Sequence, residues 1–261
     1  MKGPRDAWAM AGWATLPVLA LAWEGVARSG LVRPFLLPPL TAVLERVWTD
    51  AAAGDLWRDL ASTLYRALVG FALAASIGTV LGILIARDRI ARWFFDPLIS
   101  IGFPMPKIAF MPVIALWLGY FDTSKIVIVA FDAVFPVIVA TAAGASNVER
   151  ELIWSARNLG AGTRRVLWEV VLPAALPQIV TGLQVSLPVA LIVAIITEMM
   201  MGGTGLGAAM TRASRFADSP GVFAGILEIA LVGLILVKGM ALVRRRLLLW
   251  HPETLAEATV A

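Results

Sequence analysis

Six long apolar runs, separated by shorter polar segments, dominate the chain. They cover approximately residues 7–27, 63–86, 97–120, 125–145, 176–201 and 221–243. A helix that crosses the hydrocarbon core of a bilayer needs about 20 mostly apolar residues. Each run meets that length, so the pattern predicts an all-α membrane protein with about six transmembrane helices.

Glycines and prolines inside two of these runs bear on how their helices pack. Gly78 and Gly82 form a small-xxx-small pair, which lets helices approach closely but also arises often by chance in apolar sequence. In the third run, three prolines surround Lys107 in the segment PMPKIAFMP. Proline removes a helical hydrogen bond and clashes with the preceding turn, so we expect this run to be a broken helix.

The composition agrees with a protein whose main solvent is the bilayer. Of its 261 residues, 59% are hydrophobic and 15% are charged, whereas a soluble domain is near half apolar and about a quarter charged. Cysteine is absent and His251 is the single histidine, so the usual residues of a metal centre or a catalytic triad are missing. We therefore expect a protein that is not an enzyme and holds no metal or cofactor.

Charge distribution predicts how the chain is oriented. The first run follows a basic start, as in a signal peptide, but no clear small-residue cleavage site comes after it. We therefore interpret residues 1–34 as an N-terminal segment with a retained first membrane helix. With the N-terminus inside, the inner segments hold the larger share of lysine and arginine, as cytoplasmic loops do. Both termini are thus predicted to be cytoplasmic. The arginines after the last run then anchor the topology, and no nucleic-acid-binding motif accompanies them.

The polar segment between the fourth and fifth runs, residues 146–173, has the pattern of two short helices. Ser146 and Glu149 match a capping box, which predicts a helix from residue 147. The Gly-Ala-Gly sequence at 160–162 interrupts that helix, and Thr163 is placed to cap a second one. The expected apolar faces consist of Val148, Leu152, Ala156 and Leu159 in the first helix, and Val166, Leu167, Val170 and Val171 in the second.

Two interpretations of this segment stay open on physical grounds. Pro173 ends the second helix or begins a new segment, and Arg164 and Arg165 follow the turn. A basic amphipathic helix can lie on the inner membrane surface, where arginine meets lipid headgroups. Alternatively, the segment is gripped by a second protein, with its apolar face supplying packing and its arginines pairing with acidic groups.

This segment resembles the EAA loop of permease subunits of ABC importers. That loop has Glu-Ala-Ala, three residues, a glycine, nine residues and a final Ile-x-Leu-Pro, and the same spacing runs here from Ser155 through Gly160 to Pro173. Trp154 stands where the family has its glutamate, a departure at one docking contact. The positions that the resemblance implies for contact with an ATPase are Trp154, Ser155, Ala156, Gly160, Ala161, Gly162, Arg164, Arg165, Leu172 and Pro173.

Further segments resemble the nitrate/sulfonate/taurine branch of that family. They are PKIAFMPVIALWLGYFDTSKI (106–126), LPAALPQIVTGL (172–183), ITEMMMGGTGLG (196–207) and VFAGILEIALVGL (222–234). The resemblance implies a type I, MetI-like permease fold with a cytoplasmic coupling helix. It places a core transmembrane domain at 35–246, which includes the coupling loop 146–173, and a cytoplasmic tail at 247–261.

The resemblance also implies partners. They would be a second copy of the chain, two cytoplasmic ABC ATPase subunits and an extracytoplasmic solute-binding protein, all at the bacterial inner membrane, with no nucleic acid. ATP and Mg would be bound by the ATPase subunits, because no Gly-Lys pair of a P-loop occurs here. Closure of the ATPases would move the docked helices and switch the spans between inward and outward access.

Ionisable groups inside the runs are costly to bury and are therefore functional candidates. We select Lys107, Asp132, Glu198 and Glu228 as candidates for the translocation pathway. Lys107 and Glu198 are usual for the family, and an internal hydrogen bond is the plainer explanation of Glu198. Asp132 and Glu228 stand where the family commonly has apolar or small residues. Each of these two carboxylates could pair with Lys107 or Lys238, or could face the pathway.

The nature of the solute stays open. The family branch implies a sulfonate-, nitrate- or taurine-like anion or a related small organic compound. Acidic walls at Asp132 and Glu228 would instead suit a neutral or cationic solute such as a vitamin precursor. A secondary transporter, with Glu198 or Asp132 carrying protons down an ion gradient, is a different class of function. The glycine cluster MGGTGLG at 201–207 is either a flexible exit from the fifth run or part of an outer gate.

Overall fold

The computed structural model describes residues 4–250, with side chains from residue 15 onward, and its regular elements are helical. His251 and most of the predicted tail lie outside the described residues. The elements are α1 (Pro4–Arg28), α2 (Leu40–Ala53), α3 (Asp55–Arg87), α4 (Arg89–Gly102), a 3₁₀ turn (Lys107–Phe110), α5 (Met111–Leu118), α6 (Asp122–Ser146), α7 (Arg150–Asn158), α8 (Thr163–Val166), a π turn (Leu167–Val171), α9 (Leu172–Met201), α10 (Leu206–Arg215) and α11 (Ser219–Leu247).

Four helices in the described part are long and apolar enough to cross a bilayer: α3, α6, the continuous helix Thr163–Met201 and α11. The pair formed by α4 and Lys107–Leu118 has the composition of a fifth span but is bent by 90°. The third predicted run is thus a broken element, as its prolines led us to expect. Because α1 coincides with the first predicted run, a count of six spans is compatible with this architecture and stays a prediction.

The third run also begins earlier than the predicted residue 97. The chain turns at Asp88, whose carboxylate accepts hydrogen bonds from the backbone N–H of Ile90 and, at 2.9 Å, of Ala91. This is an N-cap, and it satisfies amide groups that have no partner within a helix. The cap allows α4 to start at Arg89, directly after α3 ends.

Helices α3, α6 and α9 form the centre of the fold. Parallel helices α3 and α6 meet at glycines of α3. A methyl group added at Gly78 would lie 2.7 Å from Cβ of Val137, and one added at Gly82 would lie 2.6 Å from Cβ of Thr141. The small-xxx-small pair is therefore the surface through which these helices come together. The sequence alone could not distinguish that role from a chance occurrence.

Helices α2 and α10 were not predicted, because both are too short for a span. α2 packs on α3 and α11, and α10 packs on α9, α11 and α3. They cover the end of the bundle where α3, α6 and α11 begin and α9 finishes, which we call the network end. The opposite end, which carries residues 146–173, is the coupling end. α1 has its last turn beside α2 at the network end, and α11 runs from the network end to the coupling end.

Candidate functional site

Residues 146–173 contain two helical segments around a turn, but neither predicted cap forms. α6 extends through Ser146, whose hydroxyl accepts a hydrogen bond of 3.0 Å from Arg92, and α7 starts at Arg150 without a side-chain cap. The predicted capping box is therefore wrong, because its serine is the last residue of a membrane helix. Thr163 is the first residue of α8, after an uncapped Gly162, so the predicted Thr163 cap is also wrong.

The turn between the two segments depends on one glycine. Gly160 has a φ of +84°, in the left-handed region that favours glycine. The amide of Gly160 donates to the carbonyl of Arg157 at 2.9 Å, and the amide of Ala161 donates to that of Ala156 at 3.0 Å. This pair of bonds is a Schellman motif, which satisfies the last carbonyls of α7. Gly162, with a φ of −70°, has no such requirement.

The loop packs through one face and exposes another. Val148, Val166 and Val171 are buried in an apolar cluster with Ala175 and Ile179, and Ile153 and Ala156 pack against it. Leu152 and Leu159 do not join this face, contrary to expectation. Leu152 lies one position before Ile153 and so points about 100° away around the helix. The exposed apolar side chains of the segment, which we call the loop patch, are Leu152, Trp154, Leu159 and Trp168.

The other predicted coupling residues differ in exposure and in pairing. Arg165 pairs with Glu169 at 2.8 Å, and both side chains are more than half exposed. Arg164 is exposed and forms no ion pair with any described residue. Ser155, Gly160, Gly162 and Pro173 are also exposed, whereas Ala156, Ala161 and Leu172 are partly buried.

Pro173 does not end the helix that begins at Thr163. Leu167–Val171 form a π turn directly before it, and the helix continues from Thr163 to Met201. Proline has no N–H for the carbonyl four residues earlier, and its ring collides with that carbonyl in regular α-geometry. The wider π turn accommodates the ring, so residues 163–171 and α9 form one continuous helix.

At the network end, Glu198 of α9 is fully buried and hydrogen-bonded by three groups. It accepts from Arg66 at 2.6 Å, from the hydroxyl of Thr63 at 2.9 Å and from the backbone N–H of Gly207 at 3.1 Å. Arg66 also pairs with Asp122 at 2.8 Å. A buried carboxylate needs a paired cation and further donors to be stable in a low dielectric, and this site supplies both. The predicted pathway candidate Glu198 therefore joins α3, α9 and α10.

The glycine cluster beside Glu198 is held by charged side chains. Arg66 donates to the carbonyl of Thr204 at 2.6 Å, and Lys125 donates to that of Gly202 at 2.6 Å. The backbone N–H of Gly205 donates to Asp59 at 2.7 Å. The positive φ angles of Gly202 and Gly205 turn these groups toward their partners. The structure therefore contradicts one of the two interpretations of the glycine cluster, in which it is a flexible exit from the fifth run.

Sequence reasoning missed most of this network. Arg66 and Lys125 were not selected among the ionisable candidates inside the apolar runs, although both are buried inside helices. One pattern was available in the sequence. Asp59, Thr63 and Arg66 stand at i, i+4 and i+7, which places them on one face of a helix.

Lys107 and Asp132 come together, as one of the two open alternatives had it. Their charged groups are 3.0 Å apart, and the Lys107 side chain is 6% exposed against 25% for Asp132. The ammonium also donates to the carbonyl of Phe103 at 2.9 Å and lies 4.5 Å from the ring centre of Phe135. This arrangement fixes the 90° bend after α4 to the middle of α6. Glu228, by contrast, contacts neither Lys107 nor Lys238.

Comparison with known proteins identifies the family of this chain. Residues 78–249 match the family described as "Binding-protein-dependent transport system inner membrane component". The chain belongs to this family. It is a multi-pass inner-membrane permease of an ABC importer, a class that works with ATPase subunits and a solute-binding protein.

This permease has relatives along nearly its whole length. It is 35% identical to the taurine transport system permease protein TauC of Escherichia coli (strain K12), covering 92% of this chain and 89% of TauC. It is 32% identical to SsuC of Bacillus subtilis (strain 168), named for aliphatic sulfonates transport, with 90% and 86% covered. It is 33% identical to the riboflavin transport system permease protein RibX of Chloroflexus aurantiacus, with 91% and 88% covered.

The fold also matches a solved permease. A chain of the MetNI methionine ABC transporter, in an inward facing conformation, superposes with a TM-score of 0.51 at 19% identity. The match covers 72% of this chain and 95% of that one. At this identity the likeness shows the fold, which is the MetI-like fold that the sequence predicted.

Proposed function

We propose that this permease imports a small sulfonate-type solute, of the taurine or alkanesulfonate class, into the bacterial cytoplasm. The observation that carries the proposal is the similarity to TauC and SsuC, at 35% and 32% identity over about nine-tenths of the chain. The working unit is a homodimer with two ATPase subunits outside the membrane on the coupling end. A solute-binding protein delivers the solute at the network end.

In this proposal the loop patch is the surface that an ATPase grips. Leu159 is 86% exposed and Trp168 is 67% exposed, and tryptophan is among the residues enriched at the energetic centre of protein interfaces. In the same orientation both termini are cytoplasmic, because α11 runs toward the coupling end and α1, with its 25 residues, finishes beside α2 at the network end. The chain itself has no active site, and ATP and Mg are held by the ATPase subunits.

The test is reconstitution of the permease, its ATPase and its binding protein in proteoliposomes. Uptake of labelled taurine and of ethanesulfonate is measured with and without ATP on the ATPase side. We expect uptake of at least one of them to require ATP, the ATPase and the binding protein together. Uptake that persists without the ATPase would instead assign the chain to secondary transporters driven by an ion gradient.

A second candidate solute is a neutral or cationic vitamin precursor. RibX, named for riboflavin transport, is nearly as similar as TauC, and Asp132 and Glu228 add acidic groups to the bundle. The same vesicles with labelled riboflavin distinguish the candidates. ATP-dependent uptake of riboflavin, with no uptake of either sulfonate, would favour the vitamin-type solute.

A further inference from the structure

A cavity of about 490 Å³ lies at the network end, between α2, the first turns of α3, α10 and α11. Pockets that hold small molecules in proteins have volumes of roughly 300–1,000 Å³, so the space is adequate for one small solute. Its lining combines apolar side chains with a group of charged ones. The carboxylates are Asp50, Asp55, Asp59, Asp218 and Glu228, and the guanidinium groups are Arg46, Arg58 and Arg212.

Most of these charges are already paired within the wall. Arg46 contacts Asp218 and pairs with Asp50 at 2.9 Å. Arg212 pairs with Asp59 at 2.9 Å. Carboxylates outnumber guanidinium groups even after this pairing, so the cavity keeps a net negative charge. That charge favours a cationic group in the cavity and opposes a simple anion.

Glu228 differs from the other carboxylates of the lining. It forms no ion pair with any described residue, and its Oε1 atom is buried without a hydrogen-bond partner. It is the tenth residue of α11, roughly 14 Å along the helix from its start. An uncompensated carboxylate at this depth is costly. Such a cost is expected at a functional group whose partner is a ligand rather than the protein.

We propose that the cavity is a solute site within the permease, and that Glu228 accepts a hydrogen bond from an ammonium group of the solute. An ammonium has three donors and a full positive charge, which matches a carboxylate of the lining that has no ion pair with any described residue in a negative cavity. This inference rests on the proposed function for the identity of the occupant. It restricts the proposed solutes to amino-substituted sulfonates, because an unsubstituted sulfonate has no hydrogen-bond donor for Glu228.

A binding measurement tests the site without transport. The ATPase–permease complex is purified in detergent without the binding protein and heated with ethylammonium, taurine or ethanesulfonate. We expect the first two to raise the unfolding midpoint by several degrees at saturation and ethanesulfonate to leave it unchanged. Glu228→Gln, which has the same shape without the charge, should abolish both shifts. An absence of any shift with the amines, or equal shifts in Glu228→Gln, would overturn the inference.

Transport then tests whether the site lies on the solute's route. Loss of a charge-assisted hydrogen bond lowers affinity by about tenfold or more. Glu228→Gln should therefore reduce taurine uptake by about that factor while ethanesulfonate uptake is unchanged or higher. Glu228→Asp should retain part of the taurine uptake. Glu45→Gln, an exposed carboxylate of α2 outside the cavity, is the matched control and should have no effect.

The two proposals fail in different ways. If the wild-type importer moves neither sulfonate with ATP, the proposed sulfonate function is wrong, and the amine-binding measurement still decides the role of Glu228. If Glu228→Gln lowers uptake of both sulfonates equally, or of neither, the importer function stands and the ammonium site is wrong.

Discussion

The charged network around Glu198 and the loop patch lie at opposite ends of this permease and differ in where their side chains find partners. At the network end, Arg66 and Glu198 are buried, and neighbouring backbone groups are hydrogen-bonded by charged side chains. At the coupling end, Trp154 and Leu159 are exposed, and the only ion pair of residues 146–173 in the described structure joins two exposed side chains. The charged groups around Glu198 find their partners within the chain, whereas the loop patch presents apolar side chains that the described chain does not cover.

This difference separates two kinds of substitution. A change in the network around Glu198 should act on folding, because it leaves a buried group without its partner. A change at the loop patch should act on assembly with another protein and leave folding almost unchanged. Substitutions in the network should therefore change the measured stability, whereas substitutions in the loop patch should change the measured binding of the ATPase.

The largest effect is expected for Arg66→Leu, which leaves Glu198 and Asp122 without their cation. Removing one partner of a buried ion pair costs about 3–5 kcal/mol, so the free energy of unfolding in detergent micelles should fall by that amount. Arg66→Leu with Glu198→Leu should be less destabilised than Arg66→Leu alone, because no charge is then left unpaired. Arg33→Leu, at an exposed arginine between α1 and α2, is the control. A loss below about 1 kcal/mol for Arg66→Leu would contradict the network.

A smaller loss of stability is expected at the α3–α6 contact. Gly78→Ala places a methyl group 2.7 Å from Cβ of Val137, and such overpacking costs about 1–3 kcal/mol in unfolding free energy. The matched control is Gly239→Ala in α11, where an added methyl group meets nothing within 4 Å. Because alanine favours helix over glycine by up to about 1 kcal/mol, the control should be neutral or stabilising. Equal effects of the two changes would show that the helices do not meet at Gly78.

Substitutions in the loop patch should weaken binding of the ATPase without lowering the stability of the permease. Leu159→Ala and Trp154→Ala should each weaken association with the ATPase by about tenfold, the size of a contact that costs above 1 kcal/mol when truncated. Titration of the ATPase onto the permease in lipid nanodiscs measures this affinity. Trp48→Ala, at a tryptophan that is 74% exposed at the network end, should leave it unchanged. If the loop lies on lipid instead, neither loop variant will alter ATPase affinity.

The smallest effect is expected for Arg165→Ala. Its pair with Glu169 is exposed and spans one helical turn, and such pairs contribute about 0.3–0.5 kcal/mol. The unfolding free energy should change by no more than that, and added salt should remove the difference. A loss of 2 kcal/mol or more would mean that Arg165 makes an interaction that contributes more to stability than its pair with Glu169.

The sequence was sufficient for features that depend on local pattern. Run length located α3, α6, α9 and α11, and the prolines around Lys107 predicted the break at the 90° bend. The spacing of residues 154–173 placed them in a known family of loops, and the family match agrees with it.

Features that depend on contacts between helices far apart in the sequence could not be predicted. Arg66 and Glu198 are 132 positions apart, and no local pattern encodes their pairing. Both predicted caps failed for a related reason. The end of α6 depends on its packing and on the contact between Arg92 and Ser146. A capping motif, by contrast, is defined by only four consecutive residues.

The uninterrupted helix Thr163–Met201 has a mechanical consequence. At about 1.5 Å per residue, its 39 residues extend for about 58 Å, which makes it a lever arm between the two faces of the membrane. A tilt of about 5° about one end sweeps the other through about 5 Å, close to one helical turn. A rotation of this size about the Thr163 end would therefore displace Glu198, near the other end, by about 5 Å.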